Sequence, residues 1–331
     1  MRSILTLAAM AAFASSLSAQ AKTATPVAKA AETITKEDVA HRVGVVADDS
    51  MMGRDTPSPG LEKTAQYVAD QFKKFGLKPG GDKGTWFMRY PLPSDDSQTA
   101  PLTVGILEGS DPKLKDEYVV FSAHMDHIGV SSGAADSINN GADDDGSGTT
   151  GVMELAEAFS QPGARPKRSI IFLTVSGEEK GLWGSAYFVE HPPVPIKQIV
   201  ADLNIDMIGR NWKDTVVAIG KEHSDLGATL NRVNAEHPEL GMTAIDDIWP
   251  DEQFYFRSDH YNFAKHGVPI LFFFTGVHPD YHQPSDSPDK IDAEKEARIL
   301  RLIYYLGQEV GNAPERPKWN EESYKQIVKE P

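Results

Sequence analysis

The chain has no cysteine among its 331 residues. That absence excludes a disulfide framework, thiolate catalysis and any thiolate-held zinc or iron–sulfur site. Positive charge is also scarce, with 33 lysines and arginines against 48 aspartates and glutamates and a net charge of −15. An acidic surface is repelled by nucleic-acid phosphates and by anionic lipid, so neither is expected as a partner. The apolar run at 4–14, broken only by Thr6, is too short to span a bilayer. No internal repeat is visible. What is present, 40% hydrophobic and 24% charged residues, is the composition of an ordinary globular protein.

Residues 1–21 read as a secretory signal peptide. Arg2 supplies the positive end, 4–14 the apolar run, and Ala19-Gln20-Ala21 a small-x-small cleavage site. No cysteine follows, which excludes lipid attachment at that site. Export is therefore expected, to a periplasm or the extracellular medium, with no membrane contact after cleavage. A flexible leader is expected over 22–34, one folded unit over 35–313, and a charged, proline-flanked tail over 314–331 with a short helix near 321–328.

Helical spacing predicts helices over 36–47 and 60–75. In the second, Ala65, Val68, Ala69 and Phe72 share one face, and Gly76 and Pro79 end it. Further helices are predicted at 147–160, 182–190, 224–234 and 292–311, and buried strands at 102–107, 118–123, 169–175, 199–205, 215–219 and 269–274. That alternation implies an α/β fold: a mixed, largely parallel sheet with helices on both faces. In such sheets the ligand site lies beyond the carboxyl ends of the strands.

Polar residues collect at those ends. His124, Met125, Asp126 and His127 follow one strand; Ser176 to Glu179 follow the next; Asp206 follows a third; His278, Tyr281, His282 and Asp286 follow the last. Between the first two lies Gly141-Ala-Asp-Asp-Asp-Gly-Ser-Gly148. Each alone has a bland explanation: a hydrogen-bonded core histidine, a solvated acidic turn, acids at a helix start. Together they bring several carboxylates to one rim, where they repel each other unless a cation neutralises them. Imidazole and carboxylate without thiolate suit zinc or another first-row divalent ion better than calcium. Charge balance favours two ions, whose positive charge matches three carboxylates and a hydroxide.

Six ordered stretches carry a family resemblance: His124-Met-Asp126, Gly141–Gly148, Ser176-Gly-Glu-Glu-Lys-Gly-Leu-Trp-Gly-Ser185, Asn204-Ile-Asp-Met-Ile-Gly209, Ser258-Asp-His260 and Tyr281-His282. They resemble the secreted di-zinc aminopeptidases, a family that also holds glutamate carboxypeptidases and glutaminyl cyclases. The lead-in Met52-Gly-Arg54 and the helix ending Phe75-Gly-Leu77 are similar to that family too. The resemblance implies a zinc-exopeptidase-like fold, a single peptidase domain over 35–313, two zinc ions as cofactors and peptides as substrates. It implies His124 and Asp206 on one ion, Glu179 and His282 on the other, and Asp144 bridging them, with a non-proline cis peptide to Asp145. Glu178 is implied as general base, its carboxylate kept ionised by two cations, Asp126 as the acid orienting His124, and Tyr281 as a hydrogen-bond donor to the oxyanion. Only 90–102 separates the lead-in from the first catalytic strand, so the family's protease-associated insert is absent. The intact 141–148 stretch argues against the single-zinc cyclases.

Two other functions stay open. A carboxypeptidase or dipeptidase needs a cationic clamp for a substrate carboxylate, for which Arg257 and Arg210 are candidates. A free substrate amine instead suits an acidic rim of Glu178, Asp206 and the pair Asp246-Asp247. A non-catalytic metal-binding domain is the third possibility. The aromatic stretch Trp249, Phe254, Tyr255 and Phe256 is a candidate wall for an apolar side-chain pocket, with Phe256 as its expected contact.

Overall fold

A computed structural model describes residues 24–133 and 136–329. The expected signal peptide at 1–21 lies outside the described residues. The expected leader at 22–34 is not loose where it is described. Thr25 caps the helix α1 (Pro26–Ala31), Pro26 starts it, and Ala30, Ala31 and Ile34 are buried in the core. Small apolar residues after a Thr-Pro start form a turn of helix once there is a core to cover.

The chain continues through α2 (Lys36–Val46) and α3 (Pro59–Lys74). The second begins at a Ser58 hydroxyl that accepts from the Leu61 N–H, and buries Leu61, Ala65, Val68, Ala69 and Phe72 along one stripe. Three antiparallel strands follow: β1 (Lys78–Pro79), β2 (Phe87–Leu92) and β3 (Asp95–Leu107). The sheet centre is made of β4 (Tyr118–His124), β5 (Ser169–Val175) and β6 (Ile199–Ile205), with α4 (Gly146–Phe159) and α5 (Trp183–Glu190) between them. After β7 (Thr215–Ile219), α6 (Leu226–Glu236), β8 (Thr243–Ile245) and α7 (His260–Lys265) comes the last strand, β9 (Ile270–Phe274). The long α8 (Ala293–Asn312) and the short α9 (Glu321–Ile327) close the chain.

Among the described residues the strands form one sheet in the order β1-β3-β5-β4-β6-β9-β7-β8, with β2 paired to β3. The run β5-β4-β6-β9 is parallel, and its flanks join it antiparallel through β3 and β7. This is the mixed α/β sheet expected, its parallel part wholly buried. One face carries Val119, Phe121, Ala123, Ala201, Leu203 and Ile205 against α2, α4, α6 and α8. The other packs on α5 and α7, and there β4 and β6 carry polar side chains: Ser122 and His124 beside Asp202 and Asn204.

The register between these two strands is not uniform. Tyr118 pairs with Ile199 but Val119 with Ala201, so Val200 is an extra residue in β6. Beyond that bulge Ser122 stands opposite Asn204.

Candidate metal centre

The buried sheet delivers its chemistry where its strands stop. His124 is the last residue of β4, and Asp206 is the first beyond β6. Glu178 and Glu179 lie in the turn between β5 and α5, and Tyr281 and His282 in the loop after β9. The triplet Asp143–Asp145 enters α4, and the Asp144–Asp145 peptide is cis, as the resemblance implied.

The structure brings the five expected ligands into two groups that share Asp144. The His124 Nε2 lies 3.3 Å from Asp144 Oδ1 and 3.6 Å from Asp206 Oδ1. The His282 Nε2 lies 3.1 Å from Asp144 Oδ2 and 3.2 Å from Glu179 Oε2. Four of these atoms are buried with no hydrogen-bond partner: His124 Nε2, Asp144 Oδ2, Asp206 Oδ1 and His282 Nε2. Buried ring nitrogens and carboxylate oxygens oriented toward one another fit a divalent cation. An unpaired buried charge costs roughly 3–5 kcal/mol. Two triads, His124–Asp144–Asp206 and His127–Asp144–Glu179, place one donor atom each within 4.8 Å of one another. Imidazole and carboxylate donors in this number match zinc.

Backbone hydrogen bonds lock the first group. Asp145 accepts from the N–H groups of His124, Gly148 and Met207, at 3.2, 2.7 and 3.2 Å, and so joins the end of β4, the start of α4 and the end of β6. The Ser258 hydroxyl donates to Asp206 Oδ2 at 2.9 Å. The expected contact of the Asp126 carboxylate with His124 is not a hydrogen bond: the carboxylate is 3.6 Å from the His124 Nδ1, which meets the Asp126 backbone carbonyl at 3.2 Å instead. The same carboxylate accepts from Gly177 N–H at 2.7 Å and the Thr56 hydroxyl at 2.9 Å, which fixes the turn that carries Glu178. Asp286 accepts from the Asp143 and Asp144 N–H groups and holds the triplet from the far side.

Arg54 lies beneath the centre with no exposure. Its guanidinium donates to the carbonyls of Val46, Met125, Asn140 and Gly141, tying the lead-in to both metal-bearing loops. Among the described residues no carboxylate forms an ion pair with it. Nothing local in the sequence signals Thr56. Arg54 and Ser258 lie inside stretches that carry the family resemblance and His127 follows a strand end, but none of these placements reveals the contact each side chain makes.

The protein groups alone leave the centre electrostatically frustrated. Burial pushes Glu178 well above the usual carboxyl range, and Asp259, Asp206 and Glu179 push the same way against His124. The expected ionised base is one with two cations beside it, and such cations would offset these carboxylates. Burial and the Asp206 and Asp144 carboxylates likewise raise Asp145. Burial pulls His282 down, but Asp144 and Glu179 outweigh it and lift the imidazole to about 10. Burial and the four nearby carboxylates raise the Tyr281 phenol, which keeps it a proton donor.

A cavity opens onto the centre. His124, Asp144, Glu178 and Asp206 form its polar wall, and Met207, Phe254, Phe272, Phe274 and Val277 its apolar wall. Tyr281 and Arg257 stand at both this cavity and a neighbouring one under Trp249. Phe256, expected in the pocket, is half exposed and packs edge-on to Tyr261, while Phe254 lines the cavity in its place. The short 3-10 turn over Phe254–Phe256 sets which ring faces inward. Arg210 is tied to Asp280 at 2.9 Å. Arg257 pairs with Glu252 and lies over the Phe254 ring. Asp246 bonds Lys221 at 2.6 Å and lines a different cavity with Asp247, so that pair does not join the rim.

The sequence pattern of Peptidase family M28 matches residues 103–307. Aminopeptidase YwaD of Bacillus subtilis is 28% identical over 273 residues, covering 79% of this chain and 53% of its own. A probable leucine aminopeptidase of Arthroderma otae is 29% identical over 210 residues, covering 61% of this chain and 56% of its own. The chain thus spans about half the length of these relatives. Among solved structures, the zinc aminopeptidase BSAP of Bacillus subtilis superposes with a TM-score of 0.67 at 15% identity, over 85% of this chain and 96% of that one. That likeness is one of fold. No described helix is long and apolar enough to cross a membrane.

Proposed function

The chain belongs to peptidase family M28, and from that premise we propose that it is a zinc-dependent aminopeptidase that uses two ions to remove N-terminal residues from peptides. The observation that carries this is the convergence of His124, Asp144, Asp206, Glu179 and His282, with unpartnered ligand atoms on all but Glu179. His124 and Asp206 would hold one ion, Glu179 and His282 the other, and Asp144 both. When bound, the ions supply a Lewis acid for the scissile carbonyl and for water.

The residues around them do the rest. Glu178, at the cavity wall, takes the proton of the attacking water and passes it to the leaving amine. Asp126, by fixing the Gly177 N–H, keeps that carboxylate aimed into the cavity. Tyr281 donates its O–H to the oxyanion. Met207, Phe254, Phe272, Phe274 and Val277 accept the side chain of the N-terminal residue, which favours large apolar residues. The acidic wall of Glu178 and Asp206 suits a free α-amine.

One observation favours the alternative. Arg257 reaches the cavity and could meet a substrate carboxylate, as a carboxypeptidase or dipeptidase requires. The test is a panel of aminoacyl-nitroanilides, N-blocked peptides and C-amidated peptides, with and without chelator. The aminopeptidase reading expects chelator-sensitive cleavage of free-amine substrates only. Cleavage that needs a free C-terminal carboxylate replaces it with the carboxypeptidase. Zinc binding without any turnover leaves only a binding domain. Glu178→Gln should retain zinc and lose about 10²–10⁴-fold in kcat. The reading also places the enzyme outside the cytoplasm, supported by Arg2, the apolar run and Ala19-Gln20-Ala21.

A further inference from the structure

His127 is not one of the five groups assigned above, yet it lies inside their arrangement. Its side chain has no exposure. The His127 Nδ1 is 2.7 Å from Glu179 Oε1 and 3.7 Å from Asp144 Oδ2. The ring meets that of His282 edge-on, with centroids 5.6 Å apart. Two contacts fix where it sits. Its backbone N–H donates to the Arg54 carbonyl, and a Cβ on Gly141, whose φ is +54°, would come within 2.6 Å of the His127 ring.

The Glu179 carboxylate is therefore divided. Oε1 faces His127, and Oε2 faces His282, 3.2 Å away. A carboxylate with both oxygens free can bind an ion through either or both. One whose Oε1 is engaged presents Oε2 alone.

We infer that His127 is a positioning residue of the second ion, donating its Nδ1–H to Glu179 Oε1 so that Oε2 is the single ligating oxygen. This rests on the zinc reading above. The two ions are then held unequally. Asp206 has a hydroxyl, Ser258, on the oxygen turned away from its ion, and Glu179 has a buried imidazole in the same position. The group that orients Glu179 is itself locked to the lead-in through Arg54, so the second ion depends on a segment far away in sequence.

The test uses the full chain stripped of metal and titrated with zinc against a chelating dye. A second titration with cobalt(II) reads the ligand field. Wild type should bind two zinc ions. His127→Ala should weaken one of them by about 10–100-fold and leave the other unchanged, because losing a group that orients a ligand typically costs that much. His127→Asn should restore most of the affinity, since its amide nitrogen can donate from the place of Nδ1. A merely structural role predicts a lower melting temperature in His127→Ala with both ions weakened together. That result overturns the inference, as does His127→Ala binding both ions with wild-type affinity. A cobalt spectrum altered in His127→Asn at full occupancy would mean that His127 ligates directly, which also overturns it. Failure of wild type to bind zinc defeats the zinc reading itself and is distinguishable from each of these.

Discussion

The two halves of the metal centre are built differently. His124 and Asp206 belong to the ends of adjacent parallel strands, and both are buried. Their spacing follows from strand pairing, and Asp145 bonds both strand ends through backbone N–H groups. Glu179 and His282 come from two loops. The His282 side chain is 35% exposed and its backbone sits at φ +56°. Side-chain contacts with Asp144, His127 and each other hold that half together. A site made by a sheet is as rigid as the sheet, whereas a site made by loops opens at the cost of a few hydrogen bonds.

The largest expected effect comes from removing what the halves share. Asp144→Ala should bind neither zinc ion stably, and metal analysis after gel filtration would find close to none with activity at background. If one ion remains, Asp144 does not bridge.

Next come single ligands from each half. Asp206→Asn and His282→Ala should each leave one ion bound. The ion lost in His282→Ala should be the one that exchanges faster in wild type, read by cobalt replacement over time. Acid should separate the halves in the same order. Ligands must be deprotonated to bind metal, and at both His124 and His282 burial is outweighed by neighbouring carboxylates that raise the imidazole, so zinc affinity falls with pH in both halves and the part exposure of His282 sets the order. Zinc retention measured from pH 8 down to 5 should show the loop-held ion leaving first. Simultaneous loss at one pH would erase the distinction.

A smaller effect tests the support of the strand half. Ser258→Ala removes the 2.9 Å hydrogen bond to Asp206 and should weaken that ion about tenfold. In the cavity, Phe254→Ala should raise KM for leucyl substrates by about tenfold, while changing it little for alanyl substrates. The smallest effect is expected at Arg257. Its pairing with Glu252 is half exposed, and such pairs contribute about 0–1 kcal/mol. Arg257→Ala should change aminopeptidase KM by less than about threefold on that basis. A collapse confined to substrates with a free carboxylate would instead favour the carboxypeptidase.

The strand half is also the part most legible in the sequence. A buried run such as 199–205 followed by Asp206 announces a polar group at a strand end, and the parallel-sheet rule places it at the rim. Strand ends put Glu179 and His282 on the same rim, but only motif resemblance pairs them, because spacing along a loop says little about where a side chain ends up. The roles of Arg54 and Thr56 are set by contacts with segments about 70 to 120 residues away, as Thr56 with Asp126 and Gly177 shows. The β2–β3 hairpin is not among the predicted strands at 87–101: Met88, Tyr90 and Leu92 do alternate with exposed Arg89 and Pro91, but the run is short and holds a proline, and the projecting part from Asp95 to Thr99 is polar and exposed. Choosing Phe256 over Phe254 failed for a related reason. In a three-residue turn of consecutive aromatics, no periodicity decides which one points inward.

The extra residue at Val200 gives this sheet something like a reading frame. Side chains on a strand alternate, so a shift by one position sends each to the opposite face. Because Val200 is bulged out of the pairing, every later residue of β6 is advanced by one, and Asn204 meets Ser122 with Asp206 next to His124. Pairing Val200 with Val119, with the bulge lost and the residue kept, would alter no ligand, no base and no wall of the cavity. It would act as a frameshift does in a gene: each downstream letter intact, and the message at the strand's end misplaced.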